Sequence, residues 1–532
     1  MTSRSHCVIL SLLVCAVFGN SLLNGFVWDD YFYLVNNSTY VDFRLDRIWL
    51  SLANGVEYLP VRDMSYALDY AIWGNNPRGF HLTNIVLYAL SVMAVYGLVC
   101  KLRVFYDAGE GEGNSASAWV PLLAAVFFAV HPLHSEIASF ITCRNAILST
   151  LFFILSCYCH ILFLDGKGLR RKLYYAAGFA CFAVSLLAKV TSITLPLIVL
   201  LLTFRRYGEN VRKAVGYAIP HGLLAIAAFS LHTFIAQKSY VFSPHAAKVD
   251  AGYLLSKLAV ALQIPWFYVG KLLVPLGLSV EYDTQFADSI ISIKATGGLL
   301  LIAGAICLAV KWRKKYPLRS FCLCWYFVTL IPVLNIFPTH PVVADRYAYL
   351  PSFALCCLLA SLVLQRGNTK AAVAVSLALV ISWSGLSMQR NMVWKSNTTL
   401  WENTVKTSPG SENANTHMGR IYFLEGKYDQ AFYFLDRARR LNFRSPDYDF
   451  FCGNLAFIRG DFRGAITQFN RALTRNPQFI EALYYQGSAH EAIGENAIAA
   501  DYYRMTLESP EPDIMGLKPL AREKVYGTKS QP

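Results

Sequence analysis

Residues 7–23, CVILSLLVCAVFGNSLL, run directly into residues 24–31, NGFVWDDY. The first stretch is almost entirely apolar and close to the length of about 20 residues that a membrane-spanning helix needs. No small-x-small cleavage site follows it, so the stretch predicts a retained membrane anchor and not a signal peptide. The second stretch then places two adjacent carboxylates, Asp29 and Asp30, just outside the membrane.

The two aspartates have two interpretations. Neighbouring carboxylates near a membrane are costly to remove from water, and they repel each other. A pair in that position binds a cation, orients a hydroxyl group or takes up a proton. Alternatively, both are solvated loop residues, which is the commoner situation for a pair considered alone. The rest of the chain decides between these interpretations.

Apolar residues are concentrated before residue 390. They make up 55% of the 532 residues, against about 45–50% in a soluble protein. We therefore expect an all-α fold, with a multi-span membrane domain at residues 1–390 and a long first outer loop at residues 24–79. Eleven candidate spans lie near residues 7–23, 80–100, 117–132, 146–164, 173–189, 190–204, 216–236, 297–310, 320–337, 347–364 and 371–388. A further apolar stretch, residues 253–278, is interrupted by two lysines and two prolines, which predicts a re-entrant or interfacial helix or another crossing.

The basic residues predict the orientation in the membrane. The formal net charge of +14 would by itself suggest a nucleic-acid partner. Lysine and arginine, however, cluster in alternate loops, most densely at residues 311–315, as they do in the cytoplasmic loops of membrane proteins. We therefore expect no nucleic-acid partner, an odd number of crossings and an outer face carrying residues 24–79, 131–145, 189–192, 237–296, 337–347 and everything after 389. Three Asn-x-Ser/Thr sequons fall on that face, at Asn36, Asn37 and Asn397.

Residues 64–73, MSYALDYAIW, have helical apolar spacing and three aromatic side chains. An amphipathic helix lying in the headgroup layer has this composition. We expect such a helix within the first outer loop, where it either roofs a cavity or simply packs on its neighbours.

The soluble tail contains explicit repeats with a spacing of 34 residues. The same small or large residue type recurs in four registers: Gly419, Gly453 and Gly487; Gly426, Gly460 and Gly494; Ala431, Ala465 and Ala499; Leu435, Phe469 and Tyr503. This is the tetratricopeptide pattern of paired antiparallel helices. We expect three repeats at residues 412–515, a linker with a degenerate half-repeat at residues 391–411 and a tail at residues 516–532. The concave face of such repeats binds an extended peptide or a partner helix, although a purely structural role is the alternative.

Several outer-face turns place ionisable side chains beside helix ends. His134 and Glu136 lie in residues 131–136, HPLHSE, where they either bind a metal ion or hold each other. Arg144 ends the same loop, Lys189 separates two apolar segments, and Arg346 precedes another span. A lone cation in such a place is often a headgroup anchor. Two cations near a pair of aspartates suggest instead a phosphate or pyrophosphate site beside carboxylates that act on a hydroxyl.

Taken together, these segments resemble a known family. The matching motifs are WDD at residues 28–30, LPVR at 59–62, YALDYAIWGNNP at 66–77, GFHLTN at 79–84, HPLHSE at 131–136, AK at 188–189, DRY at 345–347 and YLP at 349–351. The set is similar to the transmembrane, tetratricopeptide-containing O-mannosyltransferases and their bacterial relatives. These are polytopic glycosyltransferases that use lipid-phosphate sugars. The resemblance spans nearly the whole chain and is specific only when the motifs are taken together.

The resemblance implies a GT-C-like helix bundle and an inverting sugar transfer from a polyprenyl-phosphate monosaccharide. One of Asp29 and Asp30 accepts the proton of the acceptor hydroxyl, and the other is its partner or a metal ligand. Arg346, with Lys189 or Arg144, neutralises the departing lipid phosphate. Supporting positions are Arg62, His81, His134 and Glu136. The repeats present an exported polypeptide whose serine or threonine supplies the hydroxyl. No cofactor is certain, and a divalent metal ion stays open.

The chain also departs from this family. Val190 follows Lys189 where the family often has glutamate, which removes a carboxylate at that point. Three repeats are fewer than eukaryotic members carry, which favours a bacterial inner-membrane protein with the site and the repeats in the periplasm. The alternative location is the endoplasmic reticulum membrane with a luminal site.

Two other functions are alternatives to the transferase. The first is a non-enzymatic membrane anchor that displays the repeats to exported partners. The second is a transporter, which is disfavoured because the charged residues cluster at one membrane face and not along a path through the centre.

Overall fold

The structure is a computed structural model that describes residues 3–35, 37–53, 57–107, 118–208, 210–236, 251–336, 341–365, 369–442, 445–510, 513 and 515–527. Within these ranges every regular element is a helix and no β-strand occurs, which confirms the expected all-α fold. The chain divides into two compact units, Met1–Leu400 and Trp401–Pro532.

The first unit contains α1 to α17 and the beginning of α18. Their bounds are α1 Ser3–Phe18, α2 Asp29–Tyr33, α3 Ser38–Val41, α4 Leu45–Leu50, α5 Pro60–Trp73, α6 Pro77–Asp107, α7 Val120–Val130, α8 Ser135–Ser139, α9 Arg144–Asp165, α10 Gly168–Ala188, α11 Leu195–Tyr207, α12 Val211–Ala236, α13 Ala251–Leu273, α14 Ile293–Lys315, α15 Pro317–Leu330, α16 Tyr349–Val363, α17 Thr369–Val393 and α18 Asn397–Thr407. Short 3₁₀-helices lie at Gly19–Leu23, Pro132–His134, Ile141–Cys143, Val190–Thr194, Ile331–Val333 and Asp345–Ala348.

Eight helical runs in the described residues are long and apolar enough to cross a membrane. They are Ser3–Leu23, Pro77–Tyr106, Ile141–Asp165, Val190–Tyr207, Val211–Ile235, Ile293–Lys315, Asp345–Val363 and Lys370–Val393. A ninth results if Val120–Val130 and Pro132–Ser139, which meet at 52°, form one broken span. The other two predicted spans, residues 173–189 and 320–337, overlap α10 and α15, which are not among these runs; residue 337 lies outside the described residues. Within the apolar stretch at residues 253–278, residues 253–273 belong to one helix, α13, with Pro265 inside it.

The first outer loop folds around a small aromatic core. Buried side chains of α3, α4, α5 and α6 meet there: Tyr40, Ile48, Tyr66, Tyr70 and Phe80. The helix expected at residues 64–73 is confirmed as the last part of α5, which begins at Pro60 and is followed by Gly74 at a φ of 59°. Proline suits the first helical position and glycine suits the position after the last turn. The loop is therefore a packed layer that places residues 24–35 beside the helix ends.

The second unit is a set of antiparallel helix pairs. Its helices are the remainder of α18, α19 Glu412–Leu424, α20 Tyr428–Leu441, α21 Asp447–Ile458, α22 Phe462–Arg475, α23 Ile480–Ala492, α24 Asn496–Glu508 and α25 Leu517–Tyr526. Its core includes Ala431, Ala465, Leu435 and Phe469, which are four of the repeated positions. The region expected as a linker with a degenerate half-repeat, residues 391–411, is largely helical: α17 ends at Val393 and α18 begins at Asn397.

Glycine recurs at two positions of each repeat, and the structure gives a reason for each position. A Cβ atom at Gly453 would lie 2.5 Å from the ring of Phe469, so only glycine allows α21 and α22 to approach so closely. Gly419 and Gly487 face Leu435 and Tyr503 in the same way. Gly426, Gly460 and Gly494 have φ values of 73°, 78° and 84°. This left-handed conformation ends the first helix of each pair at little steric cost to glycine.

Candidate functional site

The two aspartates lie in a tight turn at the start of α2. The backbone nitrogen of Asp30 donates to the carbonyl oxygen of Val27 at 2.9 Å, and the nitrogen of Val27 donates to Oδ2 of Asp30 at 3.1 Å. Trp28 between them has a φ of 49° and a ψ of −118°. These angles correspond to the first central residue of a type II′ turn, a position that normally requires glycine.

Asp30 is the buried member of the pair. Its Oδ1 accepts hydrogen bonds from the backbone nitrogen and the hydroxyl of Thr142, at 3.0 and 2.7 Å. Burial raises the pKa of Asp30 to about 7, while the bonds from Thr142 and Val27 oppose that rise. With three donors fixing its carboxyl group, Asp30 joins the turn to the segment that precedes α9.

Asp29 is the accessible member. Its side chain is partly exposed, and within the described part of the chain it makes no hydrogen bond or ion pair. Burial raises the pKa of Asp29 to about 7; nearby Arg346 lowers it, whereas Glu57 and Glu281 raise it further. A carboxylate with free lone pairs and a pKa near neutrality can accept a proton from a bound hydroxyl group. The structure thus gives the two neighbouring aspartates different surroundings and different capabilities.

Arg346 lies next to this turn. Its guanidinium carbon is 5.9 Å from the ring of Trp28, and its Nη1 forms an ion pair with Oε1 of Glu136 at 2.6 Å. The side chain is 16% exposed while that of Glu136 is fully buried. A guanidinium group has five N–H donors. One N–H of Arg346 donates to Glu136, and other N–H groups of the same side chain can donate to a ligand.

Lys189 and Arg346 line the same cavity. Lys189 is extended between α10 and the 3₁₀-helix Val190–Thr194, with Nζ 6.0 Å from the centre of the Tyr347 ring. No ion pair or hydrogen bond of Nζ is found in the described residues. Ser149, Thr150 and Thr191 also line this cavity. Two cations in one cavity match the needs of a phosphate group.

Arg144, expected as a third phosphate ligand, is instead enclosed by protein groups. Its side chain is fully buried and forms an ion pair with Asp69 at 2.6 Å. It also donates to Oδ1 of Asn84 at 2.7 Å and to the carbonyl oxygen of Phe80 at 2.9 Å. These partners tie α9 to α5 and α6, and Arg144 does not line the cavity that Lys189 and Arg346 share.

The residues expected to support the site are all buried, and each of them makes polar contacts with neighbouring groups. Arg62 pairs with Glu57 at 2.7 Å and with Asp63 at 2.9 Å. Nε2 of His81 lies 3.3 Å from the carbonyl oxygen of Gly25, at the base of the turn. Nε2 of His134 lies 2.8 Å from the hydroxyl of Ser352, and its Nδ1 lies 2.9 Å from that of Tyr88.

The described residues show neither arrangement expected for His134 and Glu136, a shared metal ion or a mutual hydrogen bond. Glu136 pairs with Arg346 and His134 bonds to hydroxyl groups, so they do not hold each other. Over the described ranges, no group of three or more histidine, cysteine, aspartate or glutamate side chains has an arrangement that would hold a metal ion. The described residues around Asp29 therefore do not form a group of this kind.

Two contributors to the site could not be found from the sequence. Thr142 binds Asp30, and Asn397 binds the backbone nitrogen of Trp28 at 2.7 Å. Threonine and asparagine are common polar residues, and Asn397 lies 369 positions from its partner. Only the folded structure brings them to the turn.

Comparisons with known proteins agree with this architecture. Residues 453–513 match a family model described as tetratricopeptide repeat. Protein O-mannosyl-transferase Tmtc3 of Drosophila melanogaster is 23% identical over 520 residues, which cover 82% of this chain and 54% of that protein. Protein O-mannosyl-transferase TMTC1 of Homo sapiens is 25% identical over 490 residues, covering 80% and 54%. Protein O-mannosyl-transferase F38B6.6 of Caenorhabditis elegans is 23% identical, covering 68% and 51%.

The resemblance seen in the sequence motifs is thereby confirmed across most of the chain. The chain spans about half the length of the curated relatives that it matches. Among solved structures, that of ArnT from Cupriavidus metallidurans bound to undecaprenyl phosphate covers 95% of this chain and 80% of its own, with 15% identity and a TM-score of 0.37. A likeness at that level carries no argument about function.

Proposed function

We propose that this chain is a membrane glycosyltransferase that moves a mannose-like hexose from a polyprenyl-phosphate donor to a hydroxyl group. The acceptor is a serine or threonine of an exported polypeptide, and the reaction takes place on the non-cytoplasmic face of the membrane. The names of the curated relatives support sugar transfer to protein. The observation that carries the proposal is the position of Asp29 beside Arg346, which in turn shares a cavity with Lys189.

The chemistry follows from these three side chains. The carboxylate of Asp29 accepts the proton of the acceptor hydroxyl while the oxygen attacks the anomeric carbon of the sugar. The bond between that carbon and the phosphate oxygen breaks, and its electron pair leaves with the polyprenyl phosphate. Arg346 and Lys189 stabilise the extra negative charge that develops on the phosphate. Attack opposite to the leaving group inverts the configuration at the anomeric carbon.

The other residues position this group. Asp30 and Thr142 fix the turn, and Glu136 orients Arg346. In this proposal the repeats of the second unit bind the acceptor polypeptide, because stacked helix pairs offer an extended concave surface suited to a peptide.

The test is to delete the gene, or silence it, in its natural host and compare the glycans of exported proteins by mass spectrometry. Complementation with wild-type protein should restore the lost hexose, and Asp29→Asn should not, although it reaches the membrane in equal amount. Asp42→Asn is the matched control because Asp42 is an exposed aspartate of the same outer loop. Full restoration by Asp29→Asn would reject the proposed base and favour a non-enzymatic anchor for the repeats.

A further inference from the structure

Trp28 is held in a backbone conformation that tryptophan rarely adopts. Its φ of 49° and ψ of −118° place it where a type II′ turn normally has glycine. Residues in such regions cost roughly 1–3 kcal/mol and persist only when their surroundings fix them. Asp29 directly follows Trp28, so the direction of its carboxylate depends on this turn being kept.

Contacts with residues distant in the sequence help to fix Trp28. Its ring stacks on that of Phe140, with centroids 5.6 Å apart and planes inclined by 10°. The guanidinium of Arg346 lies over the same ring. The backbone N–H donates to Oδ1 of Asn397 at 2.7 Å. The hydrogen bond to Asn397 acts on the backbone itself, at the residue whose torsion angles are strained.

We propose that Asn397 is a positioning residue that holds the Trp28 turn and thereby directs the carboxylate of Asp29 towards the acceptor hydroxyl. The proposal rests on the proposed function insofar as Asp29 is the base. Asn397 supplies an uncharged acceptor oxygen on a short side chain at the first position of α18. An uncharged group suits this position because a third carboxylate near Asp29 and Asp30 would raise their proton affinity further.

Asn397 is also the first residue of a glycosylation sequon, which specifies Asn397 and Thr399. In the structure the side chains of both residues form hydrogen bonds within the protein. Thr399 donates its hydroxyl hydrogen to the carbonyl oxygen of Val393 at 3.0 Å, and its oxygen accepts from the backbone nitrogen of Ser396 at 3.0 Å. Asn397 thus bonds to the Trp28 turn, and Thr399 bonds to residues 393–396 between α17 and α18. We infer that this triplet serves the Trp28 turn and carries no glycan.

The test uses the purified full-length protein in lipid nanodiscs and two separate measurements. Asn397→Ala removes the acceptor oxygen, Asn397→Asp keeps one, and Thr398→Ala is the matched control that leaves the sequon intact. Hydrogen exchange followed by mass spectrometry reports on the amide of Trp28 without any need for activity. Transfer of hexose from a polyprenyl-phosphate hexose to a serine- and threonine-containing peptide reports on Asp29.

The expected result is specific to a positioning role. In Asn397→Ala the Trp28 amide exchanges at least about tenfold faster, and kcat falls on the order of 10- to 100-fold with little change in KM for the donor. Asn397→Asp retains slow exchange, recovers most of kcat and moves the acidic limb of the pH profile to higher pH. Thr398→Ala behaves as wild type in both measurements.

Two outcomes would overturn the inference. One is unchanged exchange at Trp28 in Asn397→Ala. The other is an unchanged kcat in that variant when exchange at Trp28 has become fast. Full activity of Asp29→Asn would instead reject the proposed base, and the exchange result would still show whether Asn397 holds the turn. A mass increase on the peptide containing Asn397 that a glycosidase removes would reject the inference about the sequon.

Discussion

Arg346 and Glu136 are joined by two hydrogen bonds from different parts of the arginine. Nη1 donates to Oε1 at 2.6 Å, and the backbone nitrogen donates to Oε2 at 3.1 Å. Both oxygens of one buried carboxylate are therefore used to fix the backbone and the side chain of the same residue. This geometry aims the rest of the guanidinium at the cavity that it shares with Lys189.

The Glu136–Arg346 pair should behave as one energetic unit. Removing one partner leaves a largely buried charge uncompensated, which costs about 3–5 kcal/mol. We expect Glu136→Ala and Arg346→Ala each to lower the thermal unfolding temperature in detergent, and the double variant to lose much less than the sum. A coupling free energy of about 1 kcal/mol or more is expected from the cycle. Strict additivity of the two losses would contradict the pairing.

Truncation of Lys189 and truncation of Arg144 should have different effects on donor binding and on stability. Lys189→Ala is expected to raise KM for the polyprenyl-phosphate donor, or to lower kcat, by about tenfold, because it removes one charge from the phosphate. Its stability should change little, since Nζ makes no ion pair among the described residues. Arg144→Ala should instead destabilise the protein by roughly 3 kcal/mol, since Asp69 is left buried without its partner.

The measurement for this comparison is a donor titration at fixed acceptor concentration, together with thermal unfolding of each variant. A loss of donor affinity in Arg144→Ala at full stability, with none in Lys189→Ala, would reverse the assignment of the phosphate site.

The pH profile of transfer should show an acidic limb close to neutrality. Burial raises the pKa values of Asp29 and Asp30 to about 7, and below that value the protonated carboxyl group of Asp29 cannot accept the hydroxyl proton. We therefore expect kcat/KM to fall tenfold per pH unit below about 6.5 and to level off above about 7.5. Because the two carboxyl groups interact, the midpoint of this acidic limb is an apparent pKa of the Asp29–Asp30 pair and not the pKa of either residue alone. A profile that is flat between pH 5 and 8, measured in a buffer of constant ionic strength, would exclude Asp29 as the base.

The repeats should be separable from the chemistry. In Gly453→Val the new Cβ atom would lie 2.5 Å from the ring of Phe469. Overpacking of this kind costs about 1–3 kcal/mol. Transfer to a whole polypeptide acceptor should fall, while transfer to a short peptide should stay within about twofold of wild type. Thr467→Ala, an exposed position on α22, is the control. Equal losses with both acceptors would show that the repeats do not select the polypeptide.

The sequence predicts the elements whose pattern is local or periodic. Apolar runs predict the membrane helices, and the 34-residue spacing predicts the close contacts at Gly419, Gly453 and Gly487. The helix at residues 64–73 follows from its apolar spacing. In each case a residue type recurs because the same packing constraint recurs.

The site depends on partners that are distant in the sequence, and there prediction was weaker. Asp29 and Asp30 look alike as neighbours in the sequence, and the hydrogen bonds from Thr142, 112 positions away, are made to Asp30 and not to Asp29. Arg144 and Arg346 are both cations at helix ends, yet Asp69 and Asn84 enclose the first while Glu136 presents the second to the cavity. A sequence shows which side chains are charged, but it does not show which neighbouring side chain forms an ion pair with each of them.

The most direct test of the central claim is a transfer reaction with purified components. Full-length wild type, Asp29→Asn and Asp42→Asn are each incubated with a radiolabelled polyprenyl-phosphate hexose and an acceptor peptide, and the labelled peptide is counted. The account predicts labelled peptide of inverted anomeric configuration with wild type and Asp42→Asn, and a rate lower by about 10²–10⁴ with Asp29→Asn. Equal rates for Asp29→Asn and wild type would contradict it.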